Sequence, residues 1–426
     1  MTILKSFIIE GLWGDGPTIK SNLDEKFNFL IGQNGTGKTT VINLIAAALI
    51  GDLDKLERVD FRRIYLVLKE SGTRKNPSIE VIKSEGAGLP FSKINYYYKP
   101  SSKEEPIELG LDDYELNSLF STVNQSMRMA RAHRERVELT RKMLAERIRV
   151  SWLPLHRSIE DLKVNDERRY IPAVDQKLKD LNNNLVRYFS QLAKRYSDHT
   201  LEFQRKSFLS VLTPENFDFI FGFAKSLDME DERKTLGEIF EVLGVESKQY
   251  SPKLKTHFDK LTRAVQIDRT KSMSPDVFAA LYNSWRAHSL VDDYKTLQKK
   301  RTEIFTPRDT FLDLINKLFA GRKTVSVSEK NELSISSRGM VIPLEALSSG
   351  EKQLLIILGE AVLQNSEPYI YIADEPELSL HILWQELLTT AISSLNKNAQ
   401  IIFATHSPDI VGENSSCLID MEKILG

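Results

Sequence analysis

The chain has 426 residues, of which 41% are hydrophobic and 27% charged, and its formal net charge is −1 at pH 7. These values are typical of a folded protein with two or three domains, and they exclude general disorder and a global electrostatic attraction to nucleic acid or membranes. A single cysteine, Cys417, excludes an internal disulfide framework, no apolar run could span a bilayer, and the first residues lack a signal-peptide pattern, so we predict a cytoplasmic protein without a membrane partner.

The first 51 residues predict two strands, a phosphate-binding loop and a helix. After a strand at Ile3–Glu10, a second strand at Lys26–Ile31 runs directly into Gly32–Thr39, which has the pattern G-x-x-x-x-G-K-[ST]. Glycines allow the backbone N–H groups of such a loop to point at phosphate oxygens. The helix that follows, predicted to stop at Gly51, adds the positive end of its dipole.

This loop predicts a site for ATP and Mg²⁺. Lys38 is expected to reach the β- and γ-phosphates, and the hydroxyl of Thr39 is expected to ligate Mg²⁺. A chance match to the pattern is rare, and the flanking strand and helix make it rarer. The residues predicted to bind the nucleotide are Asn34, Gly35, Thr36, Gly37, Lys38, Thr39 and Thr40.

Three apolar runs between Phe61 and Tyr98 predict a small antiparallel sheet beside the nucleotide site, because charged turns that contain glycine or proline separate them. The last run contains three consecutive tyrosines, at positions 96 to 98. We interpret these tyrosines as part of an ordinary strand with one buried face, and a stacking surface is the alternative.

From about Leu111 to Arg147 the sequence predicts a helix that is rich in basic residues. Eight basic side chains between Arg128 and Arg149 are accompanied by only three acidic ones. Such a helix could contact nucleic-acid phosphates or an acidic partner, although we favour a solvated face balanced by acidic neighbours elsewhere. A predicted strand at Val150–Leu155 follows and ends at His156 and Arg157.

The middle of the chain, from about Ile159 to Lys317, contains no nucleotide motif and is dominated by helical periodicity. An apolar stripe with alternating spacings of three and four residues is formed by Leu178, Leu181, Leu185, Tyr188 and Leu192. A second long helix is predicted from about Asp276 to Phe305. We interpret the stripe as core packing within a helical arm or cap. This insertion is too short for the long antiparallel arms of chromosome-maintenance ATPases.

A predicted hairpin around Lys330 and Asn331 leads to the segment Leu347–Gln353, with the sequence LSSGEKQ. This segment resembles the signature motif of ABC-type ATPases, in the LSSGE form of their soluble branches. The helix that it opens would present its positive end to a terminal phosphate. In ABC-type ATPases that phosphate belongs to the opposite subunit's nucleotide. The resemblance therefore implies a head-to-tail homodimer, or a higher homo-oligomer, whose shared sites are completed by Ser348, Ser349 and Gly350.

A buried parallel strand is predicted at Tyr369–Ala373 and ends in Asp374 and Glu375. This segment resembles the Walker B element of the same ATPases. The resemblance implies that Asp374 holds Mg²⁺ through its water shell, and that Glu375 orients and deprotonates the attacking water.

Two later segments also resemble elements of these ATPases. The segment Pro376–His381 is similar to the D-loop of the overcoming-lysogenisation-defect (OLD) class, although Ser379 and Ile382 depart from its commonest form, so His381 receives no role. A predicted strand that ends at His406 matches the switch histidine of ABC-type ATPases, which implies that His406 contacts the γ-phosphate and takes part in catalysis. A zinc site built from His381 and His406 is the alternative, but it lacks cysteine ligands and regular spacing.

The glutamine that ABC-type ATPases place between the phosphate-binding loop and the signature is not identifiable. Gln125 lies in a predicted helix, and His156 and Arg157 occupy the strand end where that glutamine is expected. His156 and Arg157 are therefore kept as candidates for sensing phosphate.

These elements predict an α/β fold: an ABC-type P-loop ATPase head with an antiparallel β subdomain and a mainly helical insertion. The predicted domains are an N-terminal ATPase lobe at residues 1–158, a helical insertion at 159–320 and a C-terminal ATPase lobe at 321–426. The phosphate-binding loop and the signature lie much farther apart in the chain than in transporter subunits, which disfavours membrane transport. Only a short segment follows His406, which leaves no room for the nuclease domain of the OLD class.

The sequence therefore resembles the free-standing OLD-type ATPases of bacterial anti-phage systems such as Septu, PARIS and some retrons. In those systems the ATPase scaffolds or restrains a separately encoded nuclease or toxin. The resemblance implies an ATP-hydrolysing sensor or scaffold subunit with such an effector as its partner. The alternatives are a DNA-binding repair or chromosome-maintenance ATPase, with nucleic acid as its partner, and an ATP-binding scaffold with little turnover.

Overall fold

The computed structural model describes residues 2–14, 16–70, 72–73, 75–84, 93–109, 137–154, 173–210, 227–266 and 274–425. The chain divides into two compact units: unit 1 comprises Met1–Arg187 and Pro307–Gly426, and unit 2 comprises Tyr188–Thr306. The phosphate-binding loop and the signature both belong to unit 1. The domain division at residues 158 and 320 stays a prediction.

Strands predominate towards the two ends of the described chain, and helices predominate in its middle. The strands are β1 (Thr2–Glu10), β2 (Ile19–Asn22), β3 (Phe27–Ile31), β4 (Arg63–Glu70), β5 (Ser78–Ser84), β6 (Lys93–Lys99), β7 (Ile107–Leu109), β8 (Val150–Pro154), β9 (Thr324–Val327), β10 (Leu333–Ser337), β11 (Met340–Ile342), β12 (Tyr369–Asp374), β13 (Ala399–Ala404) and β14 (Leu418–Asp420). The helices are α1 (Lys38–Ile50), α2 (Leu53–Glu57), α3 (Ala173–Leu209), α4 (Met229–Val242), α5 (Ser247–Gln266), α6 (Pro275–Leu318), α7 (Ser349–Leu363), α8 (Ile382–Leu395), α9 (Pro408–Val411) and α10 (Met421–Leu425). Residues 137–145 are also helical.

A five-stranded parallel sheet carries the elements that position the site. Its spatial order is β14-β3-β13-β12-β8, and every neighbouring pair is parallel. Every residue of β13 and the four central residues of β12 are buried, as expected for a parallel sheet covered on both faces. Because the strands are parallel, the carboxyl ends of β3, β13 and β12 meet at one edge of the sheet.

A six-stranded antiparallel sheet, in the order β2-β1-β4-β5-β6-β7, shares one hydrophobic core with α1 and the parallel sheet. Side chains alternate between buried and partly exposed along β4, which is the pattern of a sheet with one face on the core. Tyr96 and Tyr98 are buried and Tyr97 is partly exposed. The predicted antiparallel sheet is confirmed, and the tyrosines form an ordinary strand with one buried face.

α1 runs from Lys38 to Ile50 and is capped by Gly51, where the sequence predicts that the helix stops. Gly51 takes a left-handed conformation with φ of +70°, and its N–H donates to the carbonyl oxygen of Ala47. Glycine adopts this C-terminal cap at no steric cost. α1 is apolar on nearly all sides because both sheets cover it.

The predicted hairpin of the C-terminal region is also confirmed. β9 and β10 pair antiparallel on either side of a turn in which Asn331 has a φ of +63°, and β11 adds a third strand. Asparagine tolerates this left-handed conformation better than most residues do. The hairpin leads through a short 3₁₀ turn, Leu344–Ala346, to the signature segment.

Unit 2 is helical and has its own core. This core gathers apolar side chains of α4, α5 and the first half of α6, among them Ile239, Phe258, Leu261 and Val291. Asp228 is the N-cap of α4, and its side chain accepts hydrogen bonds from two backbone N–H groups of the first turn. The prediction of a helical insertion is confirmed, and together with the two sheets it confirms the predicted α/β fold class.

The apolar stripe predicted for the middle of the chain is buried, which confirms its interpretation as core packing. Its members are Leu178, Leu181, Leu185, Tyr188 and Leu192.

No helix in the described part of the chain has both the length and the apolar character that crossing a bilayer requires.

Some predicted boundaries were wrong, and some predictions lie outside the described residues. The strand expected to end at His406 ends at Ala404. The prediction placed the end too late because Thr405 is β-branched and continues the strand pattern in the sequence. The strands β2, β7, β11 and β14, with three or four residues each, were missed. Most of the predicted basic helix, including Gln125, lies outside the described residues. His156 and Arg157, the candidates for sensing phosphate, also lie outside them.

Candidate functional site

The candidate site lies at the carboxyl edge of the parallel sheet. β13 pairs with both β3 and β12, so Leu30, Ala404 and Asp374 are in register across the three strands. The phosphate-binding loop, the Asp374–Glu375 pair and the His406 loop therefore leave the sheet at neighbouring points. This edge is where ligands bind in open α/β sheets.

The loop between β3 and α1 is folded around the ammonium group of Lys38. Its Nζ donates hydrogen bonds to the carbonyl oxygens of Gly32, at 2.7 Å, and Gln33, at 2.9 Å, and the side chain is buried. Burial lowers the pKa of Lys38, and the nearby charges of Glu375 and Asp374 oppose this shift. The result is a localised positive charge inside the loop, next to two carboxylates.

Asp374 ends β12 beside the first turn of α1. The hydroxyl of Thr39 donates to Oδ1 of Asp374 at 3.2 Å, although the two residues are 335 positions apart. Burial, followed by the charges of Glu375 and Glu377, raises the pKa of Asp374 to about 6, and the hydrogen bond from Thr39 opposes the shift. Carboxylates this close together repel one another, and a divalent cation would relieve that repulsion.

Glu375 follows in a strained backbone conformation. Its φ of +49° lies in the left-handed region, which residues other than glycine rarely adopt. Its N–H donates to the carbonyl oxygen of Ala404 at 2.8 Å, which fixes the beginning of the loop against β13. Such strain is frequent where a protein must aim a functional side chain. The side chain of Glu375 is half-buried.

His406 lies in the loop after β13, with its side chain exposed. Its backbone N–H donates to Oε1 of Glu377 at 2.6 Å. This contact joins the His406 loop to the turn that follows Asp374 and Glu375. The structure thus brings Lys38, Thr39, Asp374, Glu375 and His406 to one edge, as expected from the sequence, while their individual roles stay predictions.

The predicted signature residues lie at the N-terminus of α7. Ser348 is the N-cap of this helix and forms a capping box with Glu351. Ser348 and Ser349 are exposed, whereas Gly350 is buried against the D-loop, where a β-carbon would lie 2.3 Å from the carbonyl oxygen of Ser379. Within the described residues, no hydrogen bond joins the signature to the phosphate-binding loop of the same chain.

The sequence matches the AAA ATPase domain family (AAA_15) over residues 17–411. The chain belongs to this family. No curated protein matches the sequence.

Solved structures similar to this AAA ATPase include three Smc head domains. The head from Pyrococcus furiosus, with an extended coiled coil and bound to the C-terminal domain of ScpA, is 12% identical with a TM-score of 0.40, covering 96% of this chain and 91% of that chain. The head with a coiled coil and joint from Pyrococcus yayanosii is 15% identical with a TM-score of 0.38, covering 96% and 93%. The head from Thermotoga maritima is 13% identical with a TM-score of 0.38, covering 96% and 90%.

Membership of an ATPase family implies nucleotide binding, and the residues at the sheet edge fit a nucleotide together with Mg²⁺. The hydroxyl of Thr39 and the carboxylate of Asp374 are the oxygen ligands that Mg²⁺ prefers. Asn34 and Gly35 are exposed at the tip of the loop, and Thr40 lies half-buried in the first turn of α1. Lys38 supplies the positive charge that phosphates require.

The zinc alternative gains no support in this AAA ATPase. Nδ1 of His381 accepts a hydrogen bond from the N–H of Leu383 at 3.3 Å, so His381 caps the N-terminus of α8. In the ranges that the structure describes, no three His, Cys, Asp or Glu side chains cluster so that they alone could hold a metal ion. His381 therefore has a structural place.

Trp13 is a site residue that the sequence analysis missed. Its ring lies against Gly37: a β-carbon on Gly37 would be 2.7 Å from Cη2 and 2.9 Å from Cζ2 of Trp13. Trp13 has a φ of +59°, and its N–H donates to the carbonyl oxygen of Asp60 at 2.8 Å, while half of the residue's surface stays exposed. The only sequence signal was an aromatic residue among glycines just after the first strand.

Proposed function

We propose that this AAA ATPase hydrolyses ATP with Mg²⁺ as its cofactor. The observation that carries the proposal is the hydrogen bond between Thr39 and Asp374, because two oxygen ligands suited to Mg²⁺ meet there, close to the charge of Lys38. In the proposed roles, Lys38 neutralises the β- and γ-phosphates and Asp374 holds the metal. Glu375 orients and deprotonates the attacking water, and His406 contacts the γ-phosphate.

Phosphate release from ATP by the purified protein tests this proposal. We expect turnover that requires Mg²⁺ and is lost in Lys38→Ala and in Glu375→Gln. The matched control is Glu386→Gln, which removes an exposed carboxylate on α8 and should keep full turnover. A wild-type protein without turnover contradicts the proposal, and turnover retained in Glu375→Gln removes Glu375 from the role of general base.

We further infer that ATP-bound copies pair head to tail. In such a pair, Ser348, Ser349 and Gly350 of one copy bind the terminal phosphate of the nucleotide held by Lys38 of the other. The N-terminus of α7 supports this inference, because it combines two exposed hydroxyls with the positive end of a helix dipole. Light scattering on Glu375→Gln with ATP should give twice the monomer mass. A monomer at saturating ATP contradicts the pairing.

We propose that the ATPase is the sensor or scaffold subunit of an anti-phage complex and controls a separately encoded nuclease or toxin. Two features support this: the resemblance of the LSSGE signature and the D-loop to OLD-type ATPases, and the exposure of Met340 (69%) and Val341 (75%) on β11, just before the signature. Neighbouring exposed apolar side chains suit a protein interface. In this proposal residues 159–320 form an arm or cap for further assembly.

Purification from the native operon, followed by phage challenge, tests the role of the subunit. We expect a second, effector protein to co-purify, and we expect Met340→Ser together with Val341→Ser to weaken that association while the ATPase activity stays. Isolation without any partner, combined with full phage resistance from this chain alone, contradicts the proposal.

A second candidate function is a nucleic-acid-associated ATPase, and one observation in unit 2 favours it. α5 carries five basic residues and one acidic residue, and a cavity of about 790 Å³ lies between α5 and the first turns of α6. Lys253, Lys260 and Arg263 line that cavity from one face of α5, and its lining also includes one acidic residue, Asp276, at the start of α6. Phosphate backbones suit such a surface.

Binding of a labelled DNA duplex at several salt concentrations distinguishes the second candidate. Charge reversal at Lys253, Lys260 and Arg263 should abolish salt-dependent binding, whereas Lys248→Glu, on the same helix but outside the cavity lining, should change it little. Equal losses in both variants would indicate a general charge effect and contradict a specific groove.

A further inference from the structure

Glu377 is a carboxylate of the site to which the sequence motifs assign no role. Its Oε1 accepts the hydrogen bond from the backbone N–H of His406 at 2.6 Å. Its Oε2 is buried and has no hydrogen-bond partner among the described residues. A buried carboxylate oxygen without a partner is destabilising, because it has lost its hydration without gaining a hydrogen bond. Such a group in a folded protein calls for a functional explanation.

The turn that carries Glu377 is held in one conformation from several sides. Ser379 has a φ of +69°, and the N–H of Leu380 donates to the carbonyl oxygen of Glu377 at 2.9 Å. The side chain of Gln385, on α8, donates to the carbonyl oxygen of Leu380 at 2.9 Å, and accepts from the hydroxyl of Ser407 at 2.6 Å. The backbone of the turn that carries Glu377 is therefore held by hydrogen bonds within the turn and from α8.

The same turn also contacts the signature helix. The side chain of Gln353, which is buried on α7, donates to the carbonyl oxygen of Pro376 at 2.9 Å. Gly350 packs against the carbonyl oxygen of Ser379 with no room for a β-carbon. The turn thus lies between the His406 loop and the N-terminal part of α7, and Glu377 is its contact to the His406 backbone.

The charge of Glu377 reaches the nucleotide side of the site as well. It contributes to the raised pKa of Asp374, after burial and Glu375, and it opposes the lowering of the pKa of Lys38 by burial. A negative charge near the phosphates is unfavourable by itself, because it repels them. A carboxylate at this position is therefore expected only if the hydrogen bond with His406 contributes more than the repulsion of the phosphates costs.

We propose that Glu377 is a positioning residue that anchors the backbone of His406, so that the imidazole is directed to the terminal phosphate of the nucleotide held by Lys38. The inference rests on the proposed ATPase function and goes beyond it by assigning a role to Glu377, a residue of the D-loop-like segment to which the resemblance gave none. A charge-assisted hydrogen bond of 2.6 Å is short and strong, and the turn that carries its acceptor is itself held by hydrogen bonds. Glu377 acts through His406 and does not itself touch the substrate.

The first experiment measures the anchor without nucleotide. The chain contains seven histidines, so labelling with ¹⁵N-histidine gives few amide signals, and the one that disappears in His406→Asn identifies His406. We expect this signal far downfield in the wild type, and upfield in Glu377→Ala and in Glu377→Asp, whose shorter side chain does not reach. Glu377→Gln, which keeps a neutral acceptor, should lie between. The control Glu386→Gln should leave the signal in place.

The second experiment measures steady-state ATP hydrolysis by the same variants. Misplacement of a group that acts on the transition state lowers kcat, so we expect a decrease of about 10- to 100-fold in Glu377→Ala with KM unchanged within about two-fold. Glu377→Asp should resemble Glu377→Ala, and Glu377→Gln should retain intermediate activity. A merely structural role would lower the amount of folded protein without this order of kcat values.

The outcomes separate the anchor from the ATPase function. A His406 signal that does not move in Glu377→Ala overturns the anchor, and so does a signal that moves while kcat stays within two-fold of the wild type. If the His406 signal moves as expected in Glu377→Ala but the wild-type protein lacks turnover, the proposed hydrolysis is overturned and the anchor is supported. If Glu377→Ala does not fold, Glu377→Gln decides, because it conserves the size of the side chain.

Discussion

Gly37 should tolerate a methyl group less well than Gly35, which lies two residues earlier in the same phosphate-binding loop. Two features act against a side chain at Gly37: a φ of +75° and the ring of Trp13 at less than 3 Å from the β-carbon position. Gly35 shares only the first feature, because its φ is +88° and no atom lies within 4 Å of its β-carbon position. The pair Gly35→Ala and Gly37→Ala therefore separates backbone strain from the steric contact.

The expected magnitudes follow from these two features. The left-handed conformation disfavours a residue with a β-carbon by about 1–2 kcal/mol, so Gly35→Ala should lower the free energy of unfolding of the nucleotide-free protein by that amount. Gly37→Ala should lose about 1–3 kcal/mol more, because the added carbon forces the ring of Trp13 to move. The lower end is expected, since half of Trp13 is exposed and its ring can shift.

A double-mutant cycle with Trp13→Ala tests the origin of the difference. Urea denaturation followed by circular dichroism should give a coupling energy of about 1 kcal/mol between Gly37→Ala and Trp13→Ala, and a value near zero for Gly35→Ala with Trp13→Ala. Equal losses in the two alanine variants, or equal coupling in both cycles, would refute the contact between Trp13 and the loop.

Three further predictions concern nucleotide affinity and two ionisable groups. Lys38→Ala should weaken nucleotide binding by about 10- to 100-fold, the loss expected for hydrogen bonds to a charged group, whereas Glu375→Gln should keep the wild-type affinity in the same fluorescent-nucleotide titration. The pKa of Glu351 is lowered because the bonds from Lys323 and Ser348 outweigh burial, which acts the other way. A carboxyl group with a lowered pKa stabilises the fold above its ordinary pKa of 4.5, and this stabilisation is lost as the pH falls through the pKa of the folded state. Lys323→Met should therefore have a lower Tm than the wild type at pH 7, and the two Tm values should converge in acid. Burial raises the pKa of Glu232 in spite of its bond with His288, so its contribution is present below pH 4.5 and is lost as the pH rises through the folded value. Calorimetry should therefore show a Tm that falls less between about pH 4.5 and pH 8 in Glu232→Gln than in the wild type, and parallel curves would contradict the assignment.

The elements that the sequence predicted well are those with a strong local pattern. The phosphate-binding loop follows from residue types at fixed spacing, and the C-terminus of α1 follows from Gly51. The strands β12 and β13 are runs of buried β-branched and aromatic residues, which identify a parallel sheet without tertiary information. Periodicity alone likewise identified the buried stripe on α3 and the beginning of α6, although α6 extends beyond the predicted Phe305 to Leu318.

The parts that escaped prediction depend on contacts between distant segments. Trp13 reaches Gly37 only because the turn after β1 bends back over the loop after β3, and no pattern in the sequence reports that approach. The bond from His406 to Glu377 joins residues 29 positions apart through the backbone of one and the side chain of the other. Short edge strands such as β14 contain too few residues to establish an alternating pattern.

The signature helix illustrates how a local motif can conflict with its proposed task. Oε2 of Glu351 accepts hydrogen bonds from the N–H of Ser348 at 2.7 Å, from its hydroxyl at 2.9 Å and from Nζ of Lys323 at 2.6 Å. In the proposed dimer, a phosphate of the second copy would approach the same hydroxyl, and an unpaired carboxylate there would repel it. Because Lys323 neutralises Glu351, the capping box can hold the helix end in place while the positive end of the helix stays available to an anion. In the proposed dimer, Lys323 would therefore favour the approach of the phosphate, because it neutralises the carboxylate that would repel it.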